Sequence, residues 1–317
     1  MLSDATPCFS DAWRIESAES GEELGLLTSA YQLGYRVALL ATDALILVAA
    51  THMGWPVSYM ACGVAMLVGM GATLAATEPA KADAAIAEKT RERPLASAKG
   101  MADAIAGPFI MFFRSYGWIA ILMLVAIGLY RLPDFVMGPM ANPFYHDIGL
   151  SKAYVGEVRG TIGIVAAFLG IAAGGACALR FGYMRALIAG GVLQALAVAS
   201  FAALARQNPD PGVFAAVMSA DNFSTSFAGV ALVSYMSSLT NLGYTATQYA
   251  LLSSTYAWVG KIVKGFSGVF VENLAAQHGL MTAYKLFFIG AGAIGVPAIL
   301  LFLALSAHDH ARRLAVS

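Results

Sequence analysis

The sequence predicts an all-α membrane protein with about eight transmembrane helices, and three observations carry that expectation. Of its 317 residues, 59% are hydrophobic and 12% are charged, against about 25% charged in a typical soluble domain. The mean hydropathy is +0.69, so much of the outer surface must face something apolar, and lipid is the simple answer. The apolar residues also gather into windows of about 20 residues, the length a helix needs to cross the hydrocarbon core.

Those windows fall at 26–50, 56–77, 117–140, 154–178, 184–205, 212–238, 247–272 and 282–306. Turn signals separate them: Met53-Gly54-Trp55-Pro56, Asn142-Pro143, Asn208-Pro209-Asp210-Pro211-Gly212 and His278-Gly279. The opening Met1-Leu2-Ser3-Asp4 has neither a basic nor an apolar leader region, so a signal peptide is not expected. The one long polar stretch runs from Glu78 to about Lys99 and leads into an amphipathic piece, Met101 to Tyr116, expected to lie at the interface. The chain therefore divides into 1–77, a linker at 78–116, and a six-helix bundle at 117–317.

Positive charge orients the bundle. With the linker in the cytoplasm, that side collects Lys81, Lys89, Arg91, Arg93, Lys99, Arg114, Arg180, Arg185, Arg312 and Arg313. The opposite loops hold little beyond Lys152 and Arg206, so both termini and the linker are expected to be cytoplasmic.

Charges inside a membrane are expensive and normally point into the bundle or a wet cavity. Arg36 and Asp43 share a face of the first window; Arg131 and Asp134, three apart, are within reach of an ion pair. Asp221 sits beside Asn222 in the sixth window, and Lys261 and Lys264 share a face of the seventh. Arg36, Arg131, Asp134, Asp221 and Lys261 are expected to line a solute cavity. Glu157, Arg159 and Glu272, nearer the ends, are expected to snorkel to the interface. Tyr130-Arg131-Leu132-Pro133-Asp134 puts a proline inside a span, where a bend would free backbone carbonyls beside that cavity. A carboxylate in a dry cavity can carry a proton. Asp221, with no cation near it in sequence, is the first expectation for a coupling group, and Asp43 and Asp134 follow as coupling or ion-pair groups.

Other chemistry finds no support. Cys8, Cys62 and Cys177 lie far apart, and the five histidines make no HExxH pair. No phosphate loop and no GxSxG nucleophile motif occurs. Neither an enzyme nor a cofactor is expected, and the zero formal net charge argues against nucleic acid.

A long cytoplasmic loop before six helices matches the half-repeat of a major facilitator transporter. Gly170-xxx-Gly174 fits close helix packing. Gly174 to Arg185 resembles the facilitator signature between the second and third helices of a half, with Leu179 where an aspartate is usual. More specific matches are Asp11 to Glu16, Tyr31 to Arg36, Tyr130 to Asp134, Asn142 to Tyr145 and Gly149 to Lys152. The longest runs from Tyr235 to Asn241 and on from Tyr244 to Ser254. On these stretches the chain resembles the AmpG-type muropeptide permeases, a branch of the major facilitator superfamily related to acetyl-coenzyme A transporters.

The resemblance implies a twelve-helix inner-membrane permease that imports anionic anhydromuropeptides with protons, for peptidoglycan recycling and β-lactamase induction. On that frame the spans here equal helices five to twelve. Asp11 to Glu16 ends the fourth, and the rest of the first half is missing or supplied by another polypeptide. It also implies Arg14, Arg36, Arg131 and Lys261 as cations for substrate carboxylates. Tyr35, Tyr130, Asn222, Tyr249 and Ser253 would hydrogen-bond or stack on sugar. The alternatives are a facilitator for another anionic solute, such as an acyl-coenzyme A or a siderophore, and a non-transporting fragment or pseudotransporter.

Overall fold

A computed structural model of the chain describes residues 6–39, 50, 53–77, 98–241 and 244–316. The regular elements among them are all helical. Helices α1 (Thr6–Ser17), α2 (Gly21–Leu39) and α3 (Trp55–Ala75) precede the linker, and α4 (Ala98–Tyr116) closes it. The remaining bundle comprises α5 (Ile119–Tyr130), α6 (Leu132–Asp147), α7 (Lys152–Val158), a π-turn (Arg159–Gly163) and α8 (Ile164–Phe181). It continues with α9 (Tyr183–Ser200), a 3₁₀ turn, α10 (Pro211–Ser238), α11 (Thr245–Lys264), α12 (Ser267–His278), α13 (Leu280–Ala293) and α14 (Val296–Val316).

Five continuous stretches among the described residues are long and apolar enough to cross a membrane: Trp55–Ala75, Ile119–Asp147, Lys152–Phe181, Tyr183–Leu204 and Leu280–His308. Part of the 26–50 window lies outside the described residues. The 212–238 window forms α10, which is long enough at 28 residues but carries Ser, Thr, Asn and Asp along its middle. The 247–272 window is not one helix, because the chain turns at Gly265-Phe266 between α11 and α12. The bend expected near Pro133 is a full break at Arg131, whose φ −94° and ψ 4° are not helical. Proline at the second position of α6 suits a helix start, since an amide there has no partner to lose.

Two apolar clusters fill the bundle. One joins α5, α9, α10 and α14 around Tyr130, Leu187, Ala228 and Phe302. The other gathers Phe144 and Tyr145 of α6, Phe201 of the 3₁₀ turn, Phe214 of α10, and Tyr284 and Phe288 of α13. The ring centroids of Phe144 and Phe288 are 4.7 Å apart, edge to face, a favoured aromatic geometry.

The α8–α10 contact is the closest in the bundle. A methyl at Gly170 would meet the Phe223 carbonyl, and one at Gly174 would lie 2.9 Å from the Phe227 oxygen. Only glycine allows two helix backbones this near. Helix α2, before the linker, docks on the same scaffold. Leu179 of α8, standing where the facilitator signature has aspartate, packs over Gly25 of α2. The Tyr183 hydroxyl donates to the Gly21 carbonyl. Gly182 turns α8 into α9 with φ +86°, a conformation that L side chains resist.

The amphipathic segment expected at the interface becomes α4, and its last two turns pack on the bundle. Phe112 is fully buried, and the Pro108 carbonyl accepts from Gln248 Nε2 at 3.1 Å. The opposite face leaves Ile110 63% exposed.

Gly170→Ala is expected to lower stability by about 1–3 kcal/mol through overpacking. Gly71→Ala, with nothing within 4 Å of the added methyl, is expected to cost nothing. Thermal unfolding of both variants in detergent checks this pair.

Candidate functional site

Helix α10 organises the polar interior in three layers. The first lies at Ser237, near its C-terminal end. Arg14 of α1 is 3% exposed, and its Nη2 donates to Asp11 Oδ1 at 3.1 Å and to Ser237 Oγ at 2.9 Å. Its Nη1 donates to Thr28 Oγ1 of α2, and its guanidinium lies 5.6 Å from the Tyr31 ring centroid. Tyr249 of α11 is buried within electrostatic reach of Asp11, Arg14, Tyr31 and Tyr256. Arg14 thus ties α1, α2 and α10 together. Its Nη1 and Nη2 donors go to protein groups, whereas the resemblance implies a substrate carboxylate as partner, and its Nε is shielded without a partner.

The second layer lies two to three turns back along α10. Arg36 Nη2 donates to Ser226 Oγ at 2.9 Å. Arg131 and Asp134 form the expected ion pair, at 2.9 Å, and Thr225 Oγ1 donates to Asp134 Oδ1 at 3.2 Å. Gly229 leaves room for two side chains: an added methyl there would lie 3.5 Å from Arg131 Nη1 and 3.6 Å from Gln32 Nε2. Arg131, Asp134 and Asp221 all act electrostatically on Arg36. Three distant parts of the sequence (Arg36, Arg131 and the Thr225-Ser226 pair) are therefore brought to one place. Tyr35, 54% exposed, sits at its edge within reach of Arg36 and Tyr256.

The third layer holds Asp221 and Asn222. Asp221 Oδ1 is shielded from solvent and has no hydrogen-bond partner. Asn222 donates to the Met218 carbonyl of its own helix at 2.9 Å. It also faces the π-turn, where a methyl on Gly163 would lie 3.4 Å from Asn222 Nδ2.

Several expected residues are placed elsewhere. Tyr130 is 1% exposed in the apolar core, and its hydroxyl donates to the Leu187 carbonyl at 2.8 Å. The helix break at Arg131 turns the two neighbours apart, so Arg131 reaches α10 while Tyr130 reaches α9. Lys261 lies on the exposed side of α11, beside Trp258 and Ile262. The inward position is Gly260, against which Phe135 packs. Ser253 is half-buried and donates to the Ala250 carbonyl of its own helix at 3.2 Å. Asp43 lies outside the described residues.

Sequence reading passed over Gln32, Thr225, Ser226 and Arg159. The first three are uncharged and gave no signal among many polar residues. Arg159 was assigned to the interface, yet its guanidinium stacks 5.3 Å from the Tyr145 ring centroid and acts electrostatically on Asp221.

With this geometry in view, the similarity to known proteins takes on structural meaning. No family model matches the chain. The anhydromuropeptide permease of Escherichia coli K12 is 31% identical over 297 residues, 92% of this chain and 55% of the permease. A Rickettsia felis protein named as an AmpG transporter (AmpG 4) is 27% identical over 299 residues, 93% of this chain and 68% of that protein. An AmpG 3 transporter name is carried by a Rickettsia prowazekii relative, 25% identical over 264 residues and 62% spanned. Over most of its length the chain is thus similar to proteins named as AmpG transporters and as an anhydromuropeptide permease. Its helical membrane architecture is accordingly that of a major facilitator. It spans about half the length of the E. coli permease.

Arg14→Ala is expected to destabilise the fold by about 3–5 kcal/mol, because Asp11 is left as an uncompensated buried charge. The double variant Asp11→Asn, Arg14→Gln is expected to lose less than the single one. Thermal unfolding of both in detergent reads the difference.

Proposed function

We propose that the chain acts in secondary transport of anhydromuropeptides across the bacterial inner membrane, driven by protons. The observation that carries this reading is the second layer: Arg36, Arg131 and Asp134 converge on Thr225 and Ser226 inside an apolar bundle. Buried charges of this kind are costly and mark solute or proton pathways. The relatives' names, which are those of transporters and a permease, support transport over catalysis. The cluster holds cations for the carboxylates of a sugar peptide, with serine, threonine and glutamine available to sugar hydroxyls.

In this reading Arg36 and Arg131 meet the solute and Asp134 is the counter-ion that Arg131 exchanges for a substrate carboxylate. Asp221, whose shielded oxygen has no partner, takes the transported proton. The basic linker face lies in the cytoplasm with both termini, and import serves cell-wall recycling. Alternating access between two helical halves moves the solute. Any further helices that this cycle needs are part of the proposal.

Proteoliposomes holding the chain are expected to accumulate labelled anhydromuropeptide when a proton gradient is imposed, and a protonophore should abolish the accumulation. Asp221→Asn should remove gradient-driven accumulation while leaving downhill exchange. Uptake indifferent to the protonophore would sink the proton coupling, and normal accumulation by Asp221→Asn would remove that residue from it. Arg131→Gln is expected to weaken solute affinity about tenfold, the scale of one charge-assisted hydrogen bond.

A further inference from the structure

The π-turn at Arg159–Gly163 inserts extra backbone between α7 and α8. Such turns change which face a residue presents, and they recur at functional sites. Here the turn faces Asn222 of α10 across Gly163. The residue that opens it, Arg159, lies over Tyr145 of α6 at 5.3 Å. Tyr145 is 4% exposed and is held by Phe144, Phe201 and Phe214, so the ring is a fixed platform. A guanidinium resting on an aromatic face keeps its planar fork of donors for a ligand.

Charge around this point does not balance locally. Asp221 is acted on by three guanidiniums, Arg159, Arg36 and Arg131, and by one other carboxylate, Asp134. Arg131 is paired with Asp134, and Arg36 donates to Ser226. Among the described residues Arg159 has no carboxylate within 4.0 Å, and the shielded oxygen of Asp221 has no hydrogen-bond donor. With Asp221 ionised, three cations against two anions leave one positive charge for a solute anion, and Arg159, exposed and bonded only to the Tyr145 hydroxyl, keeps donors for it.

We propose that Arg159, presented by the π-turn and stacked on Tyr145, anchors a substrate carboxylate, with Asp221 as its long-range counter-ion when no solute is bound. It stands at the end of α10 remote from Arg14, since sixteen residues of helix separate Asp221 from Ser237, about 24 Å. The inference rests on reading the α10 interior as the solute site. Arg159 is then a specificity-determining residue that selects acids over their neutral analogues.

The test measures affinity of the full chain in detergent for three probes: an anhydromuropeptide, the same molecule with its peptide carboxylates converted to carboxamides, and N-acetyl-alanyl-glutamate. Arg159→Gln is expected to weaken both acids about tenfold and leave the carboxamide unchanged. Arg159→Lys, which keeps the charge and guards against a folding defect, should lose about threefold on the acids, because it lacks the planar fork. Equal loss on acid and carboxamide would overturn the proposal in favour of a packing role. No loss on any probe would return Arg159 to the interface, and wild-type binding of no probe would overturn it as well. Binding of N-acetyl-alanyl-glutamate through Arg159 without binding of the anhydromuropeptide would keep this inference and remove the proposed solute.

Discussion

The polar interior depends on how closely α8 and α10 approach, and that distance is set by Gly170 and Gly174. With any side chain there, the carbonyls of Phe223 and Phe227 would be pushed away. The same contact brings the π-turn at the head of α8 against Asn222, and α2, docked on α8, against the middle of α10. Loss of two hydrogen atoms' worth of space would therefore shift every charged layer at once. In a membrane, where lipid tails are as apolar as the helix faces, close packing of this kind replaces much of the hydrophobic drive.

Helix α10 can hold a polar stripe because several of its polar side chains are satisfied within the helix. Ser224 donates to the Asp221 carbonyl, Ser237 to Val233 and Asn222 to Met218. Those bonds keep the polar atoms from being stranded where each would cost several kcal/mol (about 2–7). The oxygen lone pairs remain to accept from Arg14 and Arg36. The break between α5 and α6 does the complementary work: it ends one helix so that Arg131 can turn to α10, while Pro133 starts the next without losing an amide bond.

How much of this was legible in the sequence varied with the range of the interaction. Window lengths and turn residues located the helices, because crossing a bilayer imposes a length that hydropathy reports directly. The Arg131–Asp134 pair and the disruption at Pro133 are local, and both were visible. Arg14 shows where such reading stops, since one of its partners lies 223 residues away on α10 and nothing in either segment names the other. Tyr130 was placed in the site because it adjoins Arg131, but a helix break separates the directions of adjacent residues. Lys261 was placed there by depth alone, whereas the packing of Phe135 on Gly260 decides which side of α11 faces inward. Arg159 was assigned to the interface because it stands near the start of its window, and its contact with Tyr145 of another helix left no local signal.

The fastening of Arg14 has a consequence for the direction of traffic. One guanidinium, shielded from water, stitches the helices that precede the linker to the last turn of α10, and Tyr183 adds a bond between α9 and α2 beside it. Arg14 thus fastens α1 and α2 to α10 at this end, while the layers around Ser226 and Asp221 lie further along the helix. If the chain carries a solute as proposed, one held at those layers would leave past Ser237 only once that stitch had opened. Each charge-assisted bond released contributes about 1.5–3 kcal/mol to the barrier. The exit step, more than the binding step, would then set how fast such a carrier turns over.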